Sequence, residues 1–296
     1  MPKPGSRFDV TNLGAILFAS DLNQFERLGR KALRIIKYKG DGRTNTEREW
    51  RDAPSQMGYA VAFEAAVAFI NSQLPQNEPI GQAFRQEVRV YPERAIRELV
   101  ANCLIHQEFS VTGTGPMVEI FDSRMEITNP GEPLVDTLRF IDTPPKSRNE
   151  TLAAMMRRMK ICEEAGTGID KVIEAVEAFQ LPAPDFTAIT TTQPGFTKAT
   201  LYAPRRLNDM DSKERIRACY QHACLCLVTG SRMTNTRTGL FEKYGTGASW
   251  FAGAKMWIAS GRAQTARCAT QSRASENSEI GARGPWIASS AAASSQ

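Results

Sequence analysis

The stretch at residues 91–106 places two side chains capable of metal or acid–base chemistry one helical turn apart. At about 100° per residue, a helix here would project Glu98 and Asn102 side by side. A carboxylate and an amide in that arrangement can hold a hydrated divalent metal ion, or orient and deprotonate a water molecule. The alternative is an amphipathic helix whose edge residues are simply solvated. His106 continues the same edge and is expected to be a cap or a supporting group rather than a catalyst.

A second candidate is the glycine-rich segment Gly166-Thr167-Gly168, which opens an amphipathic helix within residues 162–181. Backbone N–H groups at a helix start, when no side chains shield them, can bind an anion. A purely structural role for the glycines is the alternative. The apolar periodicity predicts five residues on the buried side of this helix: Ile169, Val172, Ile173, Val176 and Phe179.

Residues 117–128 predict a β-hairpin around Asp122-Ser123, with four side chains on one face: Val118, Ile120, Met125 and Ile127. NPGEPL at 129–134 predicts a turn in which Gly131 would let a ligand approach the main chain. The segment 132–150 is long and irregular, which is typical of a lid or a disordered span.

The remaining patterns predict the elements that would position these residues. We expect a strand within 31–40, helices at 58–74, 150–160 and 211–228, and an antiparallel pair at 187–192 and 196–203. Ser212 is the expected N-cap of the last helix. This order favours an α+β fold, a two-layer α/β sandwich with helices on one face of the sheet. In it, the polar helix edge, the turn and the glycine-rich start could surround one nucleotide-sized cleft.

The composition limits the kinds of protein that this chain could be. The 296 residues can form one large domain or two ordinary ones, and the net charge of +5 permits a polyanionic partner without indicating one. No apolar run approaches the ~20 residues of a membrane span, and the N-terminus lacks a secretory signal. We therefore expect a cytoplasmic protein without membrane contact. The six cysteines are irregularly spaced, so reduced thiols are expected.

Four motifs in order carry a family resemblance: AIRELVANCLIHQEF, EIFDSRMEITNPGEPL, PPKSRNETLA and CEEAGTGIDKVIEAVEAFQLPAPDF. Together they resemble the ATP-binding domain of bacterial Schlafen/AlbA-type transcriptional regulators, which are often labelled RecG-like helicases. That domain is a divergent member of the Bergerat-fold (GHKL) ATPases. The resemblance covers roughly residues 8–245.

The resemblance implies a role for each matching residue. Glu98 would be the general base that activates water, and Asn102 would coordinate Mg²⁺ bridged to the ATP phosphates. Asn129 stands where the superfamily has an aspartate that accepts a hydrogen bond from adenine, and an amide lacks that charge, which leaves purine selectivity open. Gly131 would be the family's close-approach glycine.

The same resemblance assigns the remaining binding positions. Arg148 and Asn149 match the family's Arg-Asn pair within an ATP lid at 132–150. The backbone amides of the segment Gly166, Thr167 and Gly168 would meet the phosphates of ATP or ADP. Hydrolysis is a separate question from binding, because Glu98 needs a water molecule in line with the terminal phosphate.

The resemblance also divides the chain. Residues 1–80 correspond to the trailing part of a Schlafen/AlbA-type module, or alternatively pack directly on the next domain. Residues 81–205 form the GHKL-like ATP-binding domain, and 206–245 form a degraded winged-helix-like segment. The low-complexity tail, 246–296, is expected to be disordered, and its abrupt start suggests a reading-frame change.

The C-terminal helix also carries metal-capable side chains, but their spacing disfavours a zinc site. On one helix they do not converge, and buried apolar cysteines explain them better. The residues concerned are Cys219, His222, Cys224 and Cys226.

Two functions remain open. One is an ATP-binding domain of a transcriptional regulator, in which the nucleotide controls lid closure and is either hydrolysed or only bound. The other is a non-enzymatic DNA-binding or scaffold protein with a degenerate pocket. A helicase motor is not expected, because the chain lacks GxxxxGK[ST]. Both a monomer and a homodimer are compatible with the sequence.

Overall fold

The structure, a computed structural model, describes residues 9–77, 88–162, 168–192, 194–206 and 209–231. The chain divides into one unit of residues 1–245 and a second of residues 246–296. Several predictions fall outside the described residues. These are the contacts of Gly166 and Thr167, the winged-helix-like segment beyond residue 231, and the tail from 246 to 296.

The described elements alternate between helices and strands along the chain. The helices are α1 (Asn12–Phe18), α2 (Tyr59–Gln73), α3 (Glu93–Ile105), α4 (Glu150–Arg158), α5 (Gly168–Ala178) and α6 (Ser212–Val228). The strands are β1 (Arg34–Tyr38), β2 (Thr46–Glu49), β3 (Gln76–Asn77), β4 (Val88–Arg89), β5 (Met117–Ile120), β6 (Arg124–Pro130), β7 (Asp185–Ile189) and β8 (Phe196–Tyr202).

Six strands form one mixed sheet in the order β2-β1-β5-β6-β8-β7. The β1–β5 pair is parallel and the other pairs are antiparallel. Strands β3 and β4 form a separate short ribbon. Helix α3 packs on β6 and α5 packs on α3, so the sheet carries a helical layer. This arrangement confirms the predicted α+β fold.

The β5–β6 hairpin shows why the sheet has two chemically different faces. Val118 lies opposite Ile127 and Ile120 lies opposite Met125, and all four side chains are buried in the main core, as predicted. Side chains alternate along a strand, so the intervening pair faces away from the helices. That pair consists of Glu119 and Glu126.

The expected turn at 129–134 starts later than predicted. Asn129 and Pro130 still belong to β6, where they lie opposite Thr197 and Phe196. The turn begins at Gly131, whose φ of +106° favours glycine. Pairing with β8 lengthens β6, and only the tertiary structure supplies that partner strand.

The helices follow the predicted apolar patterns with one exception. In α3, Ile96, Leu99 and Val100 are buried, as are Val172, Ile173 and Val176 of α5. Phe179 was expected on the buried side and is instead 45% exposed. That prediction is wrong because α5 ends at Ala178 and the chain turns away at Gln180 with a φ of 54°.

The N-terminal part packs directly on the rest of the unit. Its strand β1 joins β5, and the buried Lys31 reaches the loop that follows α3. The Lys31 ammonium donates to the carbonyl oxygens of Val111 at 2.6 Å and Glu108 at 3.3 Å. The N-terminal part therefore supplies some of the polar contacts of this loop.

Helix α6 begins with a capping box in which Asp211, rather than the expected Ser212, is the N-cap. Asp211 accepts a hydrogen bond from the Glu214 backbone N–H, and the Glu214 side chain accepts one from the Asp211 N–H. The helix packs on α5, where His222 Nδ1 lies 3.1 Å from a Glu177 carboxylate oxygen.

The other nitrogen of this histidine, His222 Nε2, lies 3.5 Å from Cys226 Sγ. The two ring nitrogens thus face different partners. Within the described ranges, no group of three or more metal-capable side chains is placed to hold an ion. No helix in those ranges is long and apolar enough to cross a bilayer.

Gly115 lies where the N-terminal part packs on the core, and a larger residue there would clash with the backbone. A Cβ there would lie 1.8 Å from the Arg30 carbonyl oxygen, so the backbone must shift. We expect Gly115→Ala to lower the free energy of unfolding by about 1–3 kcal/mol, measured by urea denaturation. Gly42→Ala is the matched control, because its Cβ would meet its nearest neighbour at 3.8 Å. Equal stability of the two variants would contradict this packing.

Candidate functional site

A cavity of about 770 Å³ lies between the inner face of the sheet and helices α3, α4 and α5. Its volume is in the range of sites that bind small molecules and cofactors. The strands supply a mixed apolar and polar floor, formed by Ile127, Asn129, Phe186, Thr197 and Ala199. A ligand here would contact both layers of the fold.

The polar edge of α3 forms one wall of this cavity. Glu98 and Asn102 both line it, and Glu98 is only 7% exposed. Gly168, at the start of α5, faces the same two side chains. A Cβ at Gly168 would lie 2.8 Å from Glu98 Oε2 and 3.7 Å from Asn102 Nδ2. The structure thus brings together three predicted site residues that are up to 70 positions apart in sequence.

Asn129 lies on the floor and is 5% exposed. Its Nδ2 donates to the Pro130 carbonyl oxygen at 3.2 Å. Gly131 does not line the cavity. A Cβ at this glycine would meet Arg148 Cζ at 3.3 Å and Glu108 Cβ at 3.1 Å. In this structure Gly131 therefore leaves room for an arginine side chain.

The predicted Arg-Asn pair fastens a loop to the end of α3. Asn149 Nδ2 donates to the carbonyl oxygens of Ile105 at 2.6 Å and Gln107 at 2.8 Å. These carbonyls lie at a helix end, where no further turn of helix satisfies them. Arg148 donates to Glu108 at 2.8 Å and also lines the cavity, whereas Asn149 does not. The predicted nucleotide contact of this pair stays a prediction.

Residues 132–149, here named the rim segment, line much of the cavity. Phe140 of this segment contacts Phe186 of the floor, with ring centroids 5.5 Å apart. The rim segment also touches α6: the Tyr220 hydroxyl donates to the Leu138 carbonyl oxygen at 2.7 Å. Sequence reasoning missed this contact, and no local pattern signals it.

A second rim contact is apolar. Ile141 packs with Ile173 of α5 and Cys224 of α6 in a small cluster separate from the main core. The Cys224 side chain thus serves as the apolar packing group that the sequence predicts. One cluster therefore joins the rim segment, the helix that starts at the cavity, and the C-terminal helix.

Ser147 provides a polar atom that has no internal partner. Its Oγ is buried and makes no hydrogen bond with any residue that the structure describes, and the residue lines the cavity. Buried polar atoms are normally satisfied, so this hydroxyl is suited to bind a ligand group. The sequence analysis did not single it out, because an isolated serine in a loop carries no signal.

Cys103, one of the thiols that line the cavity, is not suited to nucleophilic chemistry. Its Sγ donates to the Thr128 carbonyl oxygen at 3.3 Å, and burial raises the pKa of the thiol to about 12. The thiolate is the reactive form of cysteine. Cys103 therefore contributes packing to the wall.

The donors of the cavity fit a magnesium ion held mainly by a ligand's own phosphates. Mg²⁺ usually takes only one or two protein ligands and completes its shell with phosphates and water. Asn102 and Glu98 offer an amide oxygen and a carboxylate, and the described residues contain no group of three or more metal-capable His, Cys, Asp or Glu side chains. The adjacent start of α5 is suited to an anion.

Comparison with known families identifies an ATPase-like region in this part of the chain. The HATPase_c_4 family model, described as "Putative ATP-dependent DNA helicase recG C-terminal", matches residues 113–194. That range contains strands β5, β6 and β7, the rim segment, α4 and α5, whereas α3 and β8 lie outside it. The match supports the ATPase-like component of the predicted resemblance, whereas the Schlafen/AlbA component stays a prediction.

Among solved structures, the chain is similar to the DIP2311 protein from Corynebacterium diphtheriae. The two are 18% identical with a TM-score of 0.56 over 83% of this chain and 49% of that chain. This chain therefore spans about half the length of that structure, and the likeness concerns the fold alone. No curated protein matches the chain.

His106 lines the cavity as the C-cap residue of α3, and its environment predicts a pH effect on stability. Burial, with a smaller effect of the Arg148 charge, lowers the pKa of His106 from 6.5. The unfolded chain then binds the proton more tightly, so stability is lost as the pH falls below 6.5 toward the folded-state pKa.

We expect His106→Gln to reduce the loss of folding stability at low pH. For one titrating group that loss is at most about 1.4 kcal/mol per pH unit. Urea denaturation of the wild type and the variant at pH 7.5 and 5.5 measures it. At pH 7.5 the imidazole is neutral, so the difference in free energy of unfolding between wild type and variant at that pH gives the effect of the substitution apart from titration. If the wild type and His106→Gln lost the same stability between pH 7.5 and pH 5.5, a lowered pKa of His106 would be contradicted.

Proposed function

We propose that this chain binds ATP or ADP together with Mg²⁺ in the cavity between the sheet and helices α3 to α5. The observation that carries the proposal is the convergence of Glu98, Asn102 and Gly168 on one wall. The match of residues 113–194 to an ATPase-like family supports it independently.

In this proposal the two ends of the cavity have different roles. The phosphates lie at the start of α5, where the helix dipole and the N–H groups of the first turn favour negative charge. Asn102 would hold Mg²⁺, which would offset part of the negative charge of the phosphates. The base lies over the floor near Asn129, whose amide can offer either a donor or an acceptor to a purine edge.

We also propose that Glu98 acts as general base in hydrolysis of the bound ATP. Its carboxylate is 7% exposed and lies on the side of the cavity that faces Gly168. A base there would be shielded from bulk water and close to the bound phosphates. The positioned carboxylate would take a proton from the attacking water.

The rim segment is then the proposed lid. It is fastened at one end by Arg148 and Asn149, and its middle contacts α6 through Leu138 and Ile141. A ligand that moves the rim segment would therefore disturb α6. Such a linkage would suit a transcriptional regulator whose domain arrangement responds to nucleotide, the role that the sequence resemblance implies.

The first test is nucleotide binding by Asn102→Ala. Removing the amide takes away a magnesium donor, so we expect Mg²⁺-ATP affinity to fall about tenfold or more, measured by isothermal titration calorimetry. Without Mg²⁺, wild type and variant should bind ATP with similar affinity. Asn71→Ala, an asparagine of α2 outside the cavity, is the matched control and should bind as the wild type does.

If the wild type showed neither calorimetric nor thermal-shift response to ATP or ADP with Mg²⁺, the proposed function would be wrong. Salt-dependent retention on DNA that nucleotide leaves unchanged would then favour the non-enzymatic DNA-binding alternative.

The second test separates hydrolysis from binding. We expect Glu98→Gln to retain ATP binding and to lower the rate of phosphate release by about 10²–10⁴-fold, the usual contribution of a general base. Glu174→Gln, on the exposed side of α5, should leave both quantities unchanged. If Glu98→Gln and the wild type hydrolysed ATP at the same rate, Glu98 would not be the general base.

A further inference from the structure

Among the described residues, three cationic side chains line the cavity, and they differ in their contacts. Charged residues of both signs line it: Glu98, Glu132, Glu150, Lys146, Arg148 and Arg157. A nucleoside triphosphate brings several negative charges, and burying charge is costly unless it is paired. If the proposed function holds, at least one of the three cations should meet the phosphates.

Arg148 is already engaged in hydrogen bonds within the protein. Its guanidinium donates to the Glu108 carboxylate at 2.8 Å and to the His106 carbonyl oxygen at 3.2 Å. Turning it toward a ligand would leave Glu108 without this partner. It therefore holds the rim segment in place in this structure.

Lys146 is poorly placed for a different reason. Lys146 is exposed and lies next to the prolines at 144 and 145, not on a helix or strand. An ammonium on a flexible four-carbon stem loses considerable side-chain entropy when it is immobilised. Its contribution to phosphate binding should be small.

Arg157 is placed on a rigid element. Four residues of α4, at spacings of three and four, line the cavity and so form one helix face: Glu150, Ala153, Ala154 and Arg157. The two alanines leave space for a ligand beside the helix. Arg157 stands at the last turn of this face and is half-buried.

The Arg157 side chain is also not committed elsewhere in the part of the chain that the structure describes. No hydrogen bond, ion pair or ring contact with a described residue engages its guanidinium. A planar guanidinium with a fork of N–H donors matches phosphate oxygens in two-point contacts. Its position and chemistry together suit a polyphosphate.

We infer that Arg157 is the polyphosphate-binding cation of this site and gives it a preference for nucleoside di- and triphosphates over monophosphates. The inference rests on the proposed nucleotide function and assigns a residue that neither the sequence motifs nor the family resemblance singled out. Arg157 is therefore a specificity-determining residue.

The test compares two neighbouring arginines. Arg158 follows Arg157 on α4, is exposed and does not line the cavity, so Arg158→Ala is the matched control. Calorimetry with ATP, ADP and AMP, each with Mg²⁺, is carried out on the wild type, Arg157→Ala, Arg157→Lys and Arg158→Ala. Thermal melting verifies that each variant is folded.

We expect Arg157→Ala to weaken ATP and ADP binding about tenfold, the loss of roughly one charge-assisted contact, and to change AMP binding less than twofold. Arg157→Lys should recover part of the loss, because it keeps the charge but not the fork. Arg158→Ala should leave all three affinities unchanged.

The outcomes separate the inference from the proposed function. A wild type that binds none of the three nucleotides overturns both. A wild type that binds ATP, with an unchanged ratio of ATP to AMP affinity in Arg157→Ala, overturns the inference and leaves the proposed function standing. Equal weakening of ATP and AMP would show that Arg157 supports the fold of α4, and would overturn the inference as well.

Discussion

The packing of α3 against the inner face of the sheet is the constraint on which the site depends. The helix has one apolar arc, represented by Ile96, Leu99 and Val100, and burying it fixes the rotation of the helix about its axis. Once that rotation is fixed, Glu98 and Asn102 have one direction to face. They border the cavity because the hydrophobic arc occupies the rest of the helix–sheet contact.

The second constraint is polar and acts at the end of the same helix. Carbonyl groups at the C-terminus of a helix need hydrogen-bond partners. Here Asn149, more than 40 positions away in sequence, donates to two of them. The rim segment is thereby tied to the helix that carries Glu98. At its middle the rim segment instead contacts α6 through one hydrogen bond and one apolar cluster. The end and the middle of the rim segment are therefore attached to different elements, α3 and α6.

Sequence reasoning reached much of this site because several of its signals are local. Helical periodicity placed Glu98 and Asn102 on one edge, and strand alternation placed Val118 and Ile127 on one face. The glycine-rich start of α5 was recognised for its backbone chemistry, and Gly168 does lie against Glu98. Ser147 and Arg157 were missed, because a lone serine or arginine has no pattern until the neighbouring elements show which way it faces.

The sequence by itself determined the period, polarity and order of the elements, and hence the two-layer α+β fold with a polar helix edge. These properties follow from side-chain burial repeating every 3.6 residues in helices and every two in strands. Only the tertiary structure decided that β6 continues through Pro130, that Phe179 is exposed, and that Asn149 caps α3. Each of these depends on a partner distant in sequence, such as β8 or the end of α3, whose position follows from how the whole core packs.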